Sequence, residues 1–285
     1  DTLNLDAAGQ ELPNTHFTRR TEYDVMNRPV RIIEEVTESL DTVTEYAYDA
    51  NGNLAWIRFG EAVGGGQPAN VIRQLYDERE LLWRTTRGAG SGAASTVQRD
   101  YDGNGNLVRE MAGLEGAALT RQWVYDGYDR EVLSIDAMGN ERWRSYDPNG
   151  NVVREWFEGE LQDAPGAADN VLMSDTRHVY DAMDRLIRTD ARFFDPASGE
   201  LLQDGFSTRI QAYNGRSQLI RQVNDNGHET QFGYDAVGRR IFTRDAMGNE
   251  THYAYDANSN LIEKREVEQS GSGGIGEVYV TRYEY

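Results

Sequence analysis

Four histidines, 48 acidic residues and several glycine-asparagine turns are the parts of this 285-residue chain from which a catalytic or metal site would have to be built. His16, His178, His228 and His252 share no metal-ligand spacing. His178 precedes Val179-Tyr180 and His252 precedes Tyr253, so both read as strand positions, not as zinc ligands or general bases. The segment Asp102-Gly-Asn-Gly-Asn106 offers oxygens at alternate positions, as a calcium loop does. On that template the loop glycine falls at Leu107 and the bidentate acid at Gly113, so the template fails. The glycine-rich nonapeptide calcium pattern is absent as well. The Gly-Asn-Gly segments have neither a phosphate-binding lysine nor a following helix, and no serine stands in a Gly-x-Ser-x-Gly context. Cysteine is absent, which removes disulfides, thiolate metal sites and cysteine nucleophiles. Chance carboxylate pairs are unavoidable among 48 acids and do not mark a glycosidase. No catalytic, cofactor-binding or metal-binding residue is assigned.

The elements that would carry any site are strands and turns. The chain is 38% apolar with a mean hydropathy of −0.72. It contains no apolar run near the roughly 18 residues that a membrane-spanning helix needs. The net charge of −19 repels nucleic-acid phosphates and argues against a nucleic-acid partner. Lys264 is the single lysine; every other basic residue is arginine. Twenty-nine glycines, six prolines and 16 tyrosines describe a turn-rich β protein, unlike a disordered acidic tail. Helical periodicity is not sustained, and the best candidate, Leu161–Asp169, is interrupted by Pro165 and Gly166.

Self-comparison gives the organisation. Tyrosine precedes aspartate at Tyr23-Asp24, Tyr48-Asp49, Tyr76-Asp77, Tyr101-Asp102, Tyr125-Asp126, Tyr146-Asp147, Tyr180-Asp181, Tyr234-Asp235 and Tyr255-Asp256, and Tyr213-Asn214 is a tenth copy. The intervals are 25, 28, 25, 24, 21, 34, 33, 21 and 21 residues, a unit of 21 lengthened by insertion. The copies at Tyr48, Tyr101 and Tyr146 continue to Asn-Gly-Asn with glycine at Gly52, Gly105 and Gly150; Gly238 holds the same place after Tyr234. Asp opens a type I turn by accepting a backbone N–H two residues on, and Pro148 falls where that turn favours proline. Glycine three residues after Asp then closes a hairpin with a bulge. In that register Asp49 faces Asn53, Tyr48 faces Leu54, and Tyr46 with Trp56 extends the same stripe. Glycine is replaced by Asn27, Glu80, Asp129, Asp184 and Ser259, with Ser217 in the Tyr213 copy. Glu80 is expected to be strained or to alter its turn.

A second turn lies about ten residues on, at Asp136–Asn140, Asn224–Gly227 and Asp245–Asn249, so each short repeat is two strands of roughly six residues. Insertions are expected at that turn: Gly60–Asn70, Arg87–Ser95, Ala112–Ala118, Glu158–Asp175, Asp195–Gly205 and Glu268–Glu277. Variable recognition and neutral drift account for them equally well.

Tyr-Asp-x-x-Gly-x-Leu recurring through the whole chain resembles the YD-repeat (Rhs-repeat) family, which includes bacterial Rhs toxins, shell components of insecticidal toxin complexes and the animal teneurins. The resemblance implies an all-β fold of antiparallel hairpins, spiralling into a sheet or partial shell over residues 1–285, with the array incomplete at both ends. Asp6–Gly9 looks like a second-type turn whose partner lies upstream, and at Tyr283-Glu-Tyr285 the family pattern would continue with Asp. Asp195-Pro-Ala-Ser-Gly199 loosely resembles the family's self-cleavage core signature, but repeats follow it and a proline turn is the plainer reading.

The resemblance also implies a secreted or cell-surface protein. On the first reading the segment is a non-catalytic wall that encloses a toxin or other cargo, with neighbouring repeats of the parent chain as its partners. The alternative is adhesion, with a glycan or cell-surface ligand held by the loops and by Trp56, Trp83, Trp123, Trp143 and Trp156. Arginines recur eight residues after the motif tyrosine, at Arg31, Arg84, Arg109, Arg154, Arg188 and Arg221, with Arg58, Arg244 and Arg265 nearby. Sharing the tyrosine face or its margin, they either pair with acids on adjacent strands, stack on the tyrosines, or simply solvate the surface.

Overall fold

The computed structural model describes residues 2–5, 11–37, 40–162, 170–269 and 275–285. It forms two compact units, residues 1–138 and 139–285. In the first unit the strands are β1 (Thr2–Leu5), β2 (Glu11–Phe17), β3 (Arg19–Tyr23), β4 (Pro29–Thr37), β5 (Leu40–Tyr48), β6 (Leu54–Arg58), β7 (Val71–Tyr76), β8 (Leu82–Arg87), β9 (Ser95–Tyr101), β10 (Leu107–Ala112), β11 (Leu119–Tyr125) and β12 (Glu131–Ile135). Strands β1 and β2 pair with each other, and β3 to β12 form an antiparallel meander. The second unit is a meander of β13 (Glu141–Tyr146), β14 (Val152–Gly159), β15 (Val171–Tyr180), β16 (Leu186–Phe194), β17 (Leu201–Tyr213), β18 (Leu219–Val223), β19 (Glu229–Tyr234), β20 (Arg240–Arg244), β21 (Glu250–Tyr255), β22 (Leu261–Gln269) and β23 (Ile275–Arg282).

The Tyr-Asp turn is the same in all ten copies. At Asp49 the carbonyl accepts the Gly52 N–H at 3.1 Å, and the Asp49 N–H donates to the Asn53 carbonyl at 2.8 Å; the equivalent pair recurs at every motif. The fourth residue after each tyrosine is left-handed. Gly52, Gly105, Gly150 and Gly238 lie at φ between 92° and 97°, while Asn27, Glu80, Asp129, Asp184, Ser217 and Ser259 lie between 58° and 70°. Glu80 therefore accepts the strained conformation and leaves its turn unaltered. The second turns at Asn224 and Asp245 use the same two bonds, with Gly227 and Gly248 left-handed.

Just past the turn every hairpin slips by one residue. Tyr101 faces Leu107, but its neighbour Asp100 faces Arg109, so Val108 is the extra residue of a β-bulge, and the same offset appears in all ten hairpins. The slip corrects two expectations. Tyr46 faces Ile57, not Trp56, which faces Ala47 instead. The arginines eight residues after the tyrosine stand on the face opposite the tyrosine, because the bulge resets the alternation.

The insertions lie at the expected end, but much of their length is strand. The insert expected at Glu158–Asp175 contains the end of β14 and the start of β15, and Asp195–Gly205 runs into the 13-residue β17. Asp195 itself opens a turn, accepting the Gly199 N–H at 2.7 Å. The Gly60–Asn70 insert holds a four-residue helix α1 (Gly60–Val63), which the periodicity does not foretell. Gly60 lets it sit against β5, since a Cβ there would come within 2.8 Å of the Thr42 side chain. The turn expected at Asp6–Gly9 and most of Leu161–Asp169 lie outside the described residues.

No thick core forms. Among the described residues the buried apolar side chains are Ala62, Phe194 and Val267, and most strand residues are half-buried on both faces. A single layer of strands held by its ladder follows from so low an apolar fraction. Replacing Glu80 by glycine removes left-handed strain without touching a contact of the layer; Glu80→Gly should raise stability to denaturant by about 1 kcal/mol, and a lower midpoint would show that the glutamate holds the turn in another way.

Candidate functional site

Pairing between successive hairpins stops at one register: the residue eight after one motif tyrosine faces the residue three before the next, as Arg84 faces Gln98 and Arg109 faces Gln122. The carbonyl two residues nearer the turn lies beyond that ladder. At eight junctions it is met by the hydroxyl of the next motif tyrosine. Tyr48 Oη donates to the Pro29 carbonyl at 2.8 Å, Tyr76 to Leu54 at 3.2 Å, Tyr101 to Leu82 at 3.0 Å and Tyr125 to Leu107 at 3.0 Å. In the second unit Tyr180 donates to Val152 at 3.1 Å, Tyr213 to Leu186 at 3.0 Å, Tyr234 to Leu219 at 2.9 Å and Tyr255 to Arg240 at 2.9 Å. The tyrosine is thus a side-chain rung where no backbone N–H reaches.

The turn carboxylate is equally occupied. Asp102 Oδ1 accepts the Asn104 and Asn106 N–H groups, each at 2.9 Å, while Oδ2 accepts the Asn106 side-chain amide at 3.1 Å. At Asp126, Asp181 and Asp235 the second oxygen instead takes the Nε of Arg130, Arg185 and Arg239 at 2.7 to 2.8 Å. In the Tyr213 copy the polarity inverts: Asn214 Nδ2 donates to Gln218 Oε1 at 2.8 Å. Leu81 breaks the pattern, and Arg79 covers Asp77 from the other side at 3.1 Å. The same side chains reach the next turn. Asn104 and Asn106 donate to Asp129 at 2.8 and 2.7 Å, Asn149 and Asn151 donate to Asp184 at 2.8 Å, and Arg239 reaches the Asp256 carbonyl at 3.0 Å. Arg28, Arg185 and Arg239 also lie 4.3 to 5.1 Å over the rings of Tyr48, Tyr213 and Tyr255.

Sequence reasoning missed this edge, although a polar residue five after the tyrosine in nine of ten copies was its signal. The motif residues it did single out, from Tyr23-Asp24 to Tyr255-Asp256, all stand on the edge. Tyr23, the first copy, is 56% exposed, and its hydroxyl has no partner among the described residues.

The electrostatics follow the bonds. All nine motif aspartates are held below the usual carboxylate range. The Asn106 side-chain amide does most at Asp102, and the Arg130 guanidinium does most at Asp126. At Asp49, Asp77 and Asp235 partial burial is the largest influence and pushes upward, but the combined hydrogen bonds outweigh it. Burial raises the phenols of Tyr76, Tyr101, Tyr125 and Tyr180, and the previous turn's carboxylate raises each further.

The surplus acid sits at the edges. The ten Tyr-Asp turns carry thirteen acidic and six basic residues. On the strands many acids pair with arginines: Arg109 Nε meets Asp100 at 2.7 Å, Arg188 Nε meets Asp190 at 2.8 Å, Arg221 Nε meets Glu229 at 2.7 Å, and Arg154 grips the buried Asp175 through two bonds at 2.8 and 3.0 Å. These arginines pair with acids instead of stacking on the motif tyrosines; Arg84 bonds Gln98, and Arg265 makes no such bond among the described residues. The five tryptophans are half-buried. Trp143 and Trp156 stack at 5.5 Å, with Arg154 4.5 Å from the Trp156 ring centre.

Among the described residues no group of three or more histidine, aspartate or glutamate side chains is arranged to hold a metal ion. No helix among the described residues is long and apolar enough to cross a membrane. The second unit carries an open polar groove of about 440 Å³ lined by Thr176, Thr189, Ser207, Arg209, Asn224 and Asp225.

Fold and edge together define a β-hairpin repeat protein whose unit is stitched to the next by a tyrosine hydroxyl and an aspartate turn. The chain belongs to the Teneurin YD-shell family, whose model matches residues 66–263. Two proteins of Dickeya dadantii (strain 3937) are similar to it. "Probable deoxyribonuclease RhsA" is 28% identical over 55% of this chain, and "Probable deoxyribonuclease RhsB" is 27% identical over 78%. The chain spans 12% and 18% of their respective lengths. Among solved structures it is similar to TcdB2-TccC3, with a TM-score of 0.30 and 14% identity over 98% of this chain and 20% of that one. It is also similar to a Photorhabdus luminescens Tc holotoxin pore, with a TM-score of 0.28 and 12% identity over 97% and 19%.

The shifted groups set the response to pH. Aspartates held low in the native state bind fewer protons than in the unfolded chain, so the stability they supply is complete above the ordinary carboxylate range and drains as pH falls below about 4. Tyrosines held high keep their protons when the unfolded chain releases them, so stability also falls as pH rises past about 10. Urea midpoints should form a plateau with two falling limbs. Asp102→Asn should make the acid limb shallower, and the alkaline limb slightly shallower as well because the Asp102 charge raises the Tyr125 phenol; an unchanged acid limb would show that the Asp102 carboxylate is not coupled to folding.

Proposed function

We propose that this segment is a non-catalytic wall module of a larger secreted or cell-surface YD-shell protein. Its ten copies would form one continuous array over residues 1–285, enclosing a polypeptide cargo such as a toxin. The supporting observation is the tyrosine-hydroxyl ladder with its turn-to-turn bonds. Within each unit it binds successive hairpins at an edge where strand pairing has already ended, which is what a thin layer without a thick core needs to remain continuous. The described residues gather their chemistry into bonds that hold the wall, and its arginines and acids into pairs that neutralise its faces. Net acidity at the turn edges, with near-balanced strand faces, supports a wall that does not rely on attraction for a basic cargo.

The experiment is protease protection in the parent protein that carries this segment. A polypeptide enclosed by an intact wall should be cleaved far more slowly than the same polypeptide released by denaturation. Phenylalanine at Tyr101, Tyr125, Tyr213 and Tyr234 should restore cleavage at temperatures where the native wall still protects. Equal cleavage with and without an intact wall would remove the proposal.

A further inference from the structure

Each Tyr-Asp turn is matched to the one that follows it. Three turns carry asparagine on both sides of their left-handed residue and precede another turn: Asn51 and Asn53, Asn104 and Asn106, Asn149 and Asn151. The left-handed residue of the next turn is then an acid each time, Glu80, Asp129 and Asp184. The six other turns that precede another end in Arg28, Leu81, Arg130, Arg185, Gln218 or Arg239. After those the left-handed residue is always glycine or serine.

The geometry supplies the reason. Asn106 gives its side-chain amide to Asp102 of its own turn at 3.1 Å and to Asp129 of the next at 2.7 Å, while Asn104 serves Asp129 alone at 2.8 Å. Asn151 divides its amide between Asp147 at 3.0 Å and Asp184 at 2.8 Å, and Asn149 again serves Asp184 alone at 2.8 Å. Two amides thus converge on one carboxylate oxygen, which offsets the strain of a left-handed acid. Glu80, one methylene longer, makes no such bond among the described residues. A long side chain at the turn's end favours a small neighbour instead. A Cβ at Gly52 would come within 3.3 Å of the Arg28 guanidinium, and one at Gly238 within 3.2 Å of the Gln218 amide.

The same pair of amides recurs at the tenth turn with no carboxylate on it. Asn260 donates to Asp256 at 2.8 Å, as Asn106 does to Asp102, and Asn258 is exposed, as Asn104 is. The Asn258 side chain and the second hydrogen of the Asn260 amide have no acceptor among the described residues. The register shows what would reach them. Glu263 faces Arg282 just as Arg109 faces Gln122, the eighth residue after one motif tyrosine against the third before the next. Tyr285 therefore stands in the place of a motif tyrosine. The fourth residue after it would come to Asn258 and Asn260 as Asp129 comes to Asn104 and Asn106.

We infer that Asn258 and Asn260 form a carboxylate site whose ligand is an acid in the left-handed fourth position of the Tyr-Asp turn that packs beside them in the parent protein. The inference rests on the wall reading for the presence of that neighbour, and deepens it by giving the chemistry that selects it. A neighbour with serine or glycine there leaves both amides to water, whereas an acid gains two charge-assisted bonds.

The test extends the full chain past Tyr285 with residues 126–135 of the same sequence, the segment that follows Tyr125 and contains Asp129. A second graft carries Asp129→Ser, serine being the residue that holds this conformation at Ser217 and Ser259. Hydrogen exchange in β22 and β23 should be about tenfold slower with the aspartate graft than with the serine graft, about threefold for each amide bond. Asn258→Met, which installs the residue type of Met26 and Met183, spares the bond to Asp256 and should cut the advantage to about threefold. Inside the unextended chain, Asp129→Ser should cost the folding equilibrium about threefold less in an Asn104→Met background than in the unchanged one. Equal exchange with the two grafts, an advantage that Asn258→Met leaves whole, no protection of β23 by either graft, or an Asp129→Ser cost equal in both backgrounds each overturns the inference. The wall reading is tested separately: cargo can be protected while the grafts are equal, and the grafts can differ while the cargo is cleaved.

Discussion

A hairpin meander without a thick core depends on how each hairpin is joined to the next, and here that join hangs on the hydroxyl of a tyrosine. The backbone ladder between hairpins runs out two residues before the motif leucine or its equivalent. The carbonyl left beyond it is met by a phenol from the following repeat, at 2.8 to 3.2 Å in every instance described. The other motif features serve that bond. The aspartate fixes the turn through its own backbone bonds, the left-handed fourth residue closes it, and the bulge sets the offset between the tyrosine's neighbour and the arginine opposite. A polar residue at the turn's end satisfies the carboxylate and extends toward the next turn. Because a buried acceptor without a donor costs about 1–3 kcal/mol, losing the phenol is dearer than losing an average hydrogen bond.

The same arrangement accounts for where the charge lies. A net of −19 on a thin sheet invites the idea of an acidic face, but many strand acids pair with arginines and the surplus collects in the turns and loops. The Tyr-Asp edge tolerates its acids because each motif carboxylate accepts several hydrogen bonds at once. Both faces are left close to electrically neutral, so contact with anything lying on them depends on shape and apolar area more than on net charge.

Much of this was legible in the residues. Ten tyrosines at a unit of 21 define the hairpin, the glycine offset predicts its turn, and Tyr48 facing Leu54 follows from that turn alone. The bulge was not legible, because one extra residue changes no hydrophobic count while it reverses the face of everything after it; Tyr46, Trp56 and the arginines at the eighth position were misplaced for that single reason. The hydroxyl rung was half visible. Tyrosine in all ten copies, never phenylalanine, says that the oxygen matters, but its acceptor lies in another repeat and only the register shows which carbonyl is free. Glu80 keeping an ordinary turn shows the ladder overriding a local preference. Helix α1 escaped because four residues carry no period to read.

The most direct measurement compares Tyr101→Phe with Tyr23→Phe by urea unfolding, with hydrogen exchange following β7 to β10. Each change removes one oxygen and keeps the ring. Tyr101→Phe should cost about 1–3 kcal/mol, by stranding the Leu82 carbonyl, and should speed exchange beside β8. Tyr23→Phe, whose hydroxyl bonds nothing among the described residues, should cost less than about 0.5 kcal/mol. Equal costs at the two positions would contradict the claim that the hydroxyl joins one hairpin to the next.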